Sequence, residues 1–421
     1  MFQLSSWLRL PLLASALLGL QPLTAQTVLP RYESPRLTAL AAELVGGSNQ
    51  ALDNFWRDLA GRSPLIETIE GEPDHHWITF AWRGSSTTRT VDLLGDIPTS
   101  NQAKWAFRRL GETDLWFKTE RIPKDARFGY LIRENTGPFR LDPLNTKAFG
   151  GRSVVELPGA PEQRWIRAYD GGPKGRLIPE SFRSRLLNEE RALGVYLPPG
   201  YRQGELRYPL ILAFDGEAYG NRSDSQIPLP TVLDNLIGEK RIPAAVAILI
   251  NSQSTRDRDL LCSENFARFV ALELIPWARQ RYSATDNPRQ TVVVGASYGG
   301  LGAAFVAFQF PNVVGNVLSQ SGTFTYFPNW TSNPTDYAIE TGWLTRRFAT
   351  SPSAGTRFYL EVGRFEGGPI FNLVRETRHF YDVLQAKGYP VTYSEFSGGH
   401  DYLTWRNSVG DGLVALLGTR R

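Results

Sequence analysis

Cysteine is almost missing from this chain. With Cys262 as the one cysteine in 421 residues, no internal disulfide is possible and no CxxC zinc or redox pair exists. Histidine is nearly as scarce, and the four present show no HExxH spacing, which leaves little material for a metal site. Neither sign of charge is in large excess: 46 Lys+Arg against 42 Asp+Glu leaves a formal +4, too mild to argue for nucleic acid. No internal repeat, charge block or low-complexity tract is present. What is there looks globular, with 42% hydrophobic and 21% charged residues, and the composition excludes a coiled coil or a disordered tail protein. At about 150 residues per domain, the length suits two domains.

The N-terminal stretch, residues 1–26, has the form of a secretory signal. Arg9 supplies positive charge, Leu10 to Leu20 is a largely apolar run broken by Pro11, and Pro22-Leu-Thr-Ala-Gln26 follows with small residues. The apolar run is short for a bilayer span, so the expectation is export with no stable span left after signal removal; an N-terminal membrane anchor is the alternative. No cysteine lies near the cut, which excludes lipidation there.

Residues 27–169 carry short alternating runs separated by turn residues. His76 to Trp82, Thr90 to Leu94, Leu115 to Thr119 and Phe128 to Ile132 read as strands of a β-sandwich, preceded by helical spacing over Ser48 to Leu59. Asp170-Gly-Gly-Pro-Lys-Gly175 opens a linker placed at 170–185, because successive Gly and Pro residues continue neither regular structure. From 186 to 421 strands alternate with helices in the βαβ manner that forces a parallel sheet: Arg191 to Leu197, Tyr208 to Phe214, Ala245 to Ile250, Thr291 to Val294, Val314 to Ser319, Arg357 to Val362 and Val391 to Phe396. The fold class is α/β, an α/β-hydrolase domain preceded by an all-β sandwich.

Thr291-Val-Val-Val294 runs directly into Gly295-Ala-Ser-Tyr-Gly299 and then a helical stretch. GxSxG is common by chance, but between a β-branched strand and a helix it is a nucleophile elbow, with Ser297 on a strained turn. A serine hydroxyl needs a base at neutral pH, and His400 lies in a glycine-rich loop after the last strand, in the chain order this fold requires. The third member is a carboxylate near the end of the Arg357 strand: Glu366 in the following loop, where such acids usually sit, or Glu361 within the strand. The expected oxyanion donors are the backbone N–H groups of Tyr298 and of the Gly216-Glu217 region. Asp401, next to the histidine, is expected to hold its loop.

Asp215-Gly-Glu217, Gly295 to Leu301, Leu318-Ser-Gln-Ser-Gly322, Leu360-Glu-Val-Gly363 and Gly398-Gly-His-Asp-Tyr-Leu-Thr-Trp-Arg406 together resemble the signature blocks of the enterochelin (enterobactin) esterases. Trp82-Arg-Gly84 and Asp142-Pro-Leu-Asn145 resemble blocks of that family's N-terminal domain. The resemblance implies an immunoglobulin-like N-terminal domain, hydrolysis of the triserine lactone of ferric catecholate siderophores, and iron that enters as part of the substrate with no resident cofactor. It places a substrate arginine at Arg256 and brings Trp405 and Arg406 forward as further substrate-binding candidates. An export signal departs from the cytoplasmic two-domain members and matches shorter relatives of the periplasm, so the expected location is periplasmic. A long stretch holding Trp330, Trp343 and Arg346-Arg347 reads either as a lid over an aromatic ligand or as packing. The alternatives are a feruloyl or acetyl polysaccharide esterase and, in another class, a non-catalytic ferric-siderophore binding protein.

Overall fold

The computed structural model describes residues 31–48, 50–97, 105–220, 226–328, 342–368 and 371–418. The expected export signal and Trp330 lie outside these residues. The chain begins with α1 (Pro35–Val45) and α2 (Ala51–Leu59), then builds β1 (Leu65–Ile69), β2 (Glu72–Arg83), β3 (Val91–Gly95), β4 (Arg108–Arg109), β5 (Leu115–Pro123), β6 (Arg127–Glu134), β7 (Ala148–Phe149) and β8 (Arg152–Glu156). These form two antiparallel four-stranded sheets, β1-β2-β5-β4 and β3-β6-β8-β7. Alternation along β2 and β6 decides which face is covered. Ile78 and Phe80 meet Phe128, Tyr130 and Ile132 between the sheets, while Ala81, Leu115 and Phe117 turn outward and are covered by Leu37, Leu40 and Phe55 of the two helices. Asp142 of the DPLN segment is buried and accepts hydrogen bonds from the Ser63 and Tyr130 hydroxyls and the Leu144 N–H, which pins this loop to β6.

The second unit comprises β9 (Arg176–Ser184), β10 (Glu189–Leu197), β11 (Leu210–Phe214), α3 (Gly216–Tyr219), α4 (Leu229–Gly238), β12 (Val246–Ile250), α5 (Arg256–Leu260), α6 (Glu264–Arg268) running through a π-helical turn into α7 (Ile275–Arg281), β13 (Thr291–Ala296), α8 (Tyr298–Gln309), β14 (Asn316–Gln320), α9 (Trp343–Thr350), β15 (Arg357–Gly363), α10 (Leu373–Ala386), β16 (Val391–Phe396) and α11 (Tyr402–Leu417). Their eight strands lie in the order β16-β15-β14-β13-β11-β12-β10-β9. All neighbours are parallel except β9 with β10 and β10 with β12. The central strands are apolar on both faces because helices cover both, as in Val292, Val293 and Val294 of β13, each fully buried. The fold class read from the sequence is the one observed.

Two boundaries differ from the sequence reading. Arg176–Ser184, placed in the linker, is β9, paired along its whole length with β10; its mixed polar pattern is that of an edge strand with one wet face, which turn signals alone do not reveal. Trp165, placed in the N-terminal domain, is buried in the core between α4 and α11, with its N–H groups bonded to Asn407 and Asp411. Trp343 packs against Phe305 and Tyr326, and Phe348 of the same helix is buried against Phe358 and Phe380, so α9 is part of the helical layer.

Because Trp165 fastens the segment after the sandwich to the second unit, Trp165→Ala should destabilise that unit by about 3–5 kcal/mol. Denaturant unfolding followed by tryptophan fluorescence measures this; an unchanged midpoint would show the contact to be dispensable.

Candidate active site

Strands β13 and β11 are adjacent and parallel, and the chain turns in opposite directions from their neighbourhood, so their carboxyl ends form the crevice of an open α/β sheet. Ser297 leaves β13 with φ 58° and ψ −122°, a conformation a serine adopts only when the surroundings impose it. The surroundings are the two glycines of the motif. A Cβ at Gly295 would lie 2.3 Å from Gly299 backbone atoms, and one at Gly299 would lie 3.4 Å from the Asp215 carboxylate. Strand and helix therefore cross at contact distance, and Ser297 is lifted to the crevice. Its backbone is fixed by donation from its N–H to Gln320 O at 2.9 Å and by acceptance from Thr323 N–H at 3.1 Å.

The ends of β15 and β16 bring the next two groups together. His400 Nδ1 and Glu366 Oε2 are 2.7 Å apart, and Glu366 is buried. The other carboxylate oxygen, Oε1, accepts from Ser321 Oγ at 2.6 Å and from Gly363 N–H at 2.7 Å, so the acid has one oxygen for its own anchorage and one for the imidazole. Ser321 in turn accepts from the Trp405 indole N–H at 3.1 Å, and the Trp405 ring stands edge-on to His400 at 4.9 Å. Burial disfavours an imidazolium at His400, but Glu366, Asp96 and Asp401 outweigh it and hold its pKa above the ordinary value.

Glu361, the other acid weighed from the sequence, is buried within β15 and bonded to Gln320 Nε2 at 2.8 Å and Ser408 Oγ at 2.6 Å. Desolvation pushes its carboxyl up to about 7. Desolvation and the neighbouring Asp96 charge push Asp401 up to about 7 as well, although it caps α11 through Leu403 N–H at 2.9 Å.

Gly216 begins α3 directly after Asp215, which has φ 55°, and Tyr298 begins α8. Both expected oxyanion positions thus stand at helix starts on neighbouring strand ends. Arg256 is bidentate to Asp215, at 2.8 Å to each oxygen, and its guanidinium lies 5.0 Å from the centre of the Tyr298 ring. It is therefore at the elbow. Trp405 is buried beneath His400, and Arg406 donates to Gln163 and lies over the Phe149 ring at 4.2 Å, at the seam between the two units. A cavity of about 350 Å³ along that seam is lined by Asp96, Trp105, Phe365, Phe371, Glu366 and His400. Among the described residues, no group of three or more His, Cys, Asp and Glu side chains is arranged to hold a metal ion. The sequence reading gave no role to Ser321 or Asp96. Ser321 does sit in the quoted Leu318–Gly322 block, one residue past β14.

The elbow, the paired acid and histidine, and the sheet define a carboxylic ester hydrolase of the α/β type. The Esterase family model matches residues 184–416. The iron(III) enterobactin esterase of Escherichia coli (strain K12) is 30% identical, with 80% of this chain and 90% of that relative covered. The enzyme of the same name from Dickeya dadantii (strain 3937) is 28% identical over 90% and 96%, and the iron(III) salmochelin esterase of Escherichia coli O6:H1 is 26% identical over 91% and 98%. Among solved structures, the enterobactin esterase of Shigella flexneri crystallised in the presence of enterobactin superposes with a TM-score of 0.66 at 25% identity, covering 86% of this chain and 97% of that one. This chain belongs to the enterochelin esterase family.

The raised Glu361 pKa has a sign that can be checked. The folded state binds this proton more tightly than the unfolded chain, so the stabilisation is full below about pH 4.5 and is lost as pH rises through about 7. Wild type should therefore lose stability relative to Glu361→Gln across that window, read from denaturant midpoints at a series of pH values. A difference that does not vary with pH would contradict the burial argument.

Proposed function

We propose that the protein is a serine esterase that opens the triserine lactone of ferric catecholate siderophores and releases linear dihydroxybenzoylserine oligomers. The observation that carries the chemistry is the anchored Glu366–His400 pair at strand ends beside the left-handed elbow of Ser297. Ser297 Oγ attacks a lactone carbonyl while His400 Nε2 takes its proton. Glu366 accepts from Nδ1–H, fixes the tautomer and stabilises the imidazolium. The N–H groups of Tyr298 and Gly216 hold the tetrahedral oxyanion. His400 then gives its proton to the departing serine alkoxide, and water, deprotonated by the same imidazole, resolves the acyl-enzyme.

The names of the relatives support the choice of substrate. Of the three substrate residues considered, we assign contact to Arg256. It is partly exposed beside the elbow, and its planar cation, fixed by Asp215, offers a face to a catechol ring. Trp405 and Arg406 support the site from behind and from the domain seam. Iron enters as part of the substrate, and cleavage removes the ring that preorganises three catechols around it. The signal-like residues 1–26 support a reaction that takes place after export, in the periplasm. No helix among the described residues is long and apolar enough to cross a membrane.

The test is chromatographic product analysis after incubation with ferric and iron-free enterobactin, beside feruloylated xylan. Linear oligomers that disappear with Ser297→Ala, a loss of at least about a thousandfold, are expected. Released ferulate with intact siderophore would move the assignment to polysaccharide esterases, and siderophore binding without turnover would favour a binding protein.

The pH profile gives a second check. The neutral base is the active form, so activity should fall on the acid side at a pH above the ordinary imidazole value of 6.5. Glu366→Gln should shift that limb to lower pH and reduce kcat about a hundredfold or more, while Glu361→Gln leaves the limb in place. Equal effects of the two variants would mean that the acid is misassigned.

A further inference from the structure

We propose that Asp96, contributed by the β-sandwich, is a positioning residue for His400, so that the N-terminal domain supplies part of the catalytic centre. This rests on His400 being the base, as argued above. The loop from β16 to α11 contains Gly398 and Gly399 immediately before the histidine, and glycines place little restraint of their own on the backbone. The restraint comes from the other domain. Arg127 N–H donates to Ser397 O at 3.0 Å, Asp96 Oδ2 accepts from His400 N–H at 2.9 Å, and Gly129 N–H donates to Asp401 Oδ2 at 3.3 Å.

The glycines are what allow this approach. A Cβ on Gly398 would lie 2.7 Å from Arg127 O, and one on Gly399 would lie 1.8 Å from Asp96 Cβ. The Gly-Gly preceding the histidine is thus shaped to the surface of the sandwich. Phe365, next to the triad acid, packs edge-on against Phe128 of the sandwich at 5.8 Å, so the acid loop is braced from the same side. Of these contacts, only that of Asp96 reaches His400 itself. It holds the backbone while Glu366 holds the ring, and together they fix where Nε2 stands relative to Ser297. An error of about 1 Å at such a position costs on the order of a hundredfold in rate.

The experiment compares full-length wild type, Asp96→Ala, Asp96→Asn and His400→Ala by kcat and KM on ferric enterobactin and on p-nitrophenyl acetate, with thermal melting to establish the folded fraction. Asp96→Ala should lower kcat about tenfold to a hundredfold on both substrates, with KM for the small ester within about threefold of wild type. Asp96→Asn should recover most of the loss, because the amide oxygen can accept the same N–H. If the alanine variant does not fold, Asp96→Ser, whose shorter side chain falls short of that N–H, takes its place with the same expected loss. Wild-type kcat in Asp96→Ala or Asp96→Ser, or an asparagine variant as impaired as alanine, overturns the proposal. Activity retained in His400→Ala overturns instead the reading of the base on which it rests.

Discussion

The contact between Glu366 and His400, at 2.7 Å, is the one on which the site depends. An imidazole on a glycine-rich loop has many orientations, and a serine on a strained turn has one. In the proposed mechanism the first must be brought to the second. Glu366 holds the imidazole from a buried position, and its burial is tolerable because Ser321 and Gly363 occupy its other oxygen. A buried carboxylate without those donors would carry several kcal/mol of uncompensated desolvation. The order of support runs outward from there: Trp405 holds Ser321, α11 holds Trp405, and Asp401 caps α11 next to the histidine.

The same principle explains why two carboxylates so close together in the chain, Glu361 within β15 and Glu366 just beyond its end, have different surroundings. Glu361 points into the body of the protein, where hydroxyl and amide donors do not fully offset the loss of water, and its pKa rises to about 7. Glu366, three residues beyond Gly363, turns back under the strand end to face the His400 imidazole. The structural difference is a short turn. The chemical difference is between a carboxyl enclosed by neutral hydroxyl and amide donors and one that shares a hydrogen bond with an imidazole.

Much of this was legible in the sequence because it obeys local rules. The βαβ alternation, the doubly buried Val292–Val294 strand, the elbow at Ser297 and the histidine after the last strand all follow from periodicity and motif context. The resemblance of the flanking blocks pointed to the family. Other features were not legible because their causes are distant in the chain. The edge strand β9 has the polar composition of a linker. Trp165 is claimed by helices some seventy and two hundred and forty residues away, with partners at Asn235, Asn407 and Asp411. Asp96 reaches a backbone N–H separated from it by 304 residues. The Gly-Gly before His400 was visible as a pattern, but the surface it accommodates was not.

The central claim is that Ser297 is a nucleophile activated by His400. It is tested most directly by treating the folded protein with a fluorophosphonate and locating the adduct by peptide mass spectrometry. The account predicts one phosphonyl group per chain, on Ser297, with labelling lost in Ser297→Ala and greatly slowed in His400→Ala. Labelling that persists at another residue in Ser297→Ala, or that proceeds at the wild-type rate without His400, would contradict it.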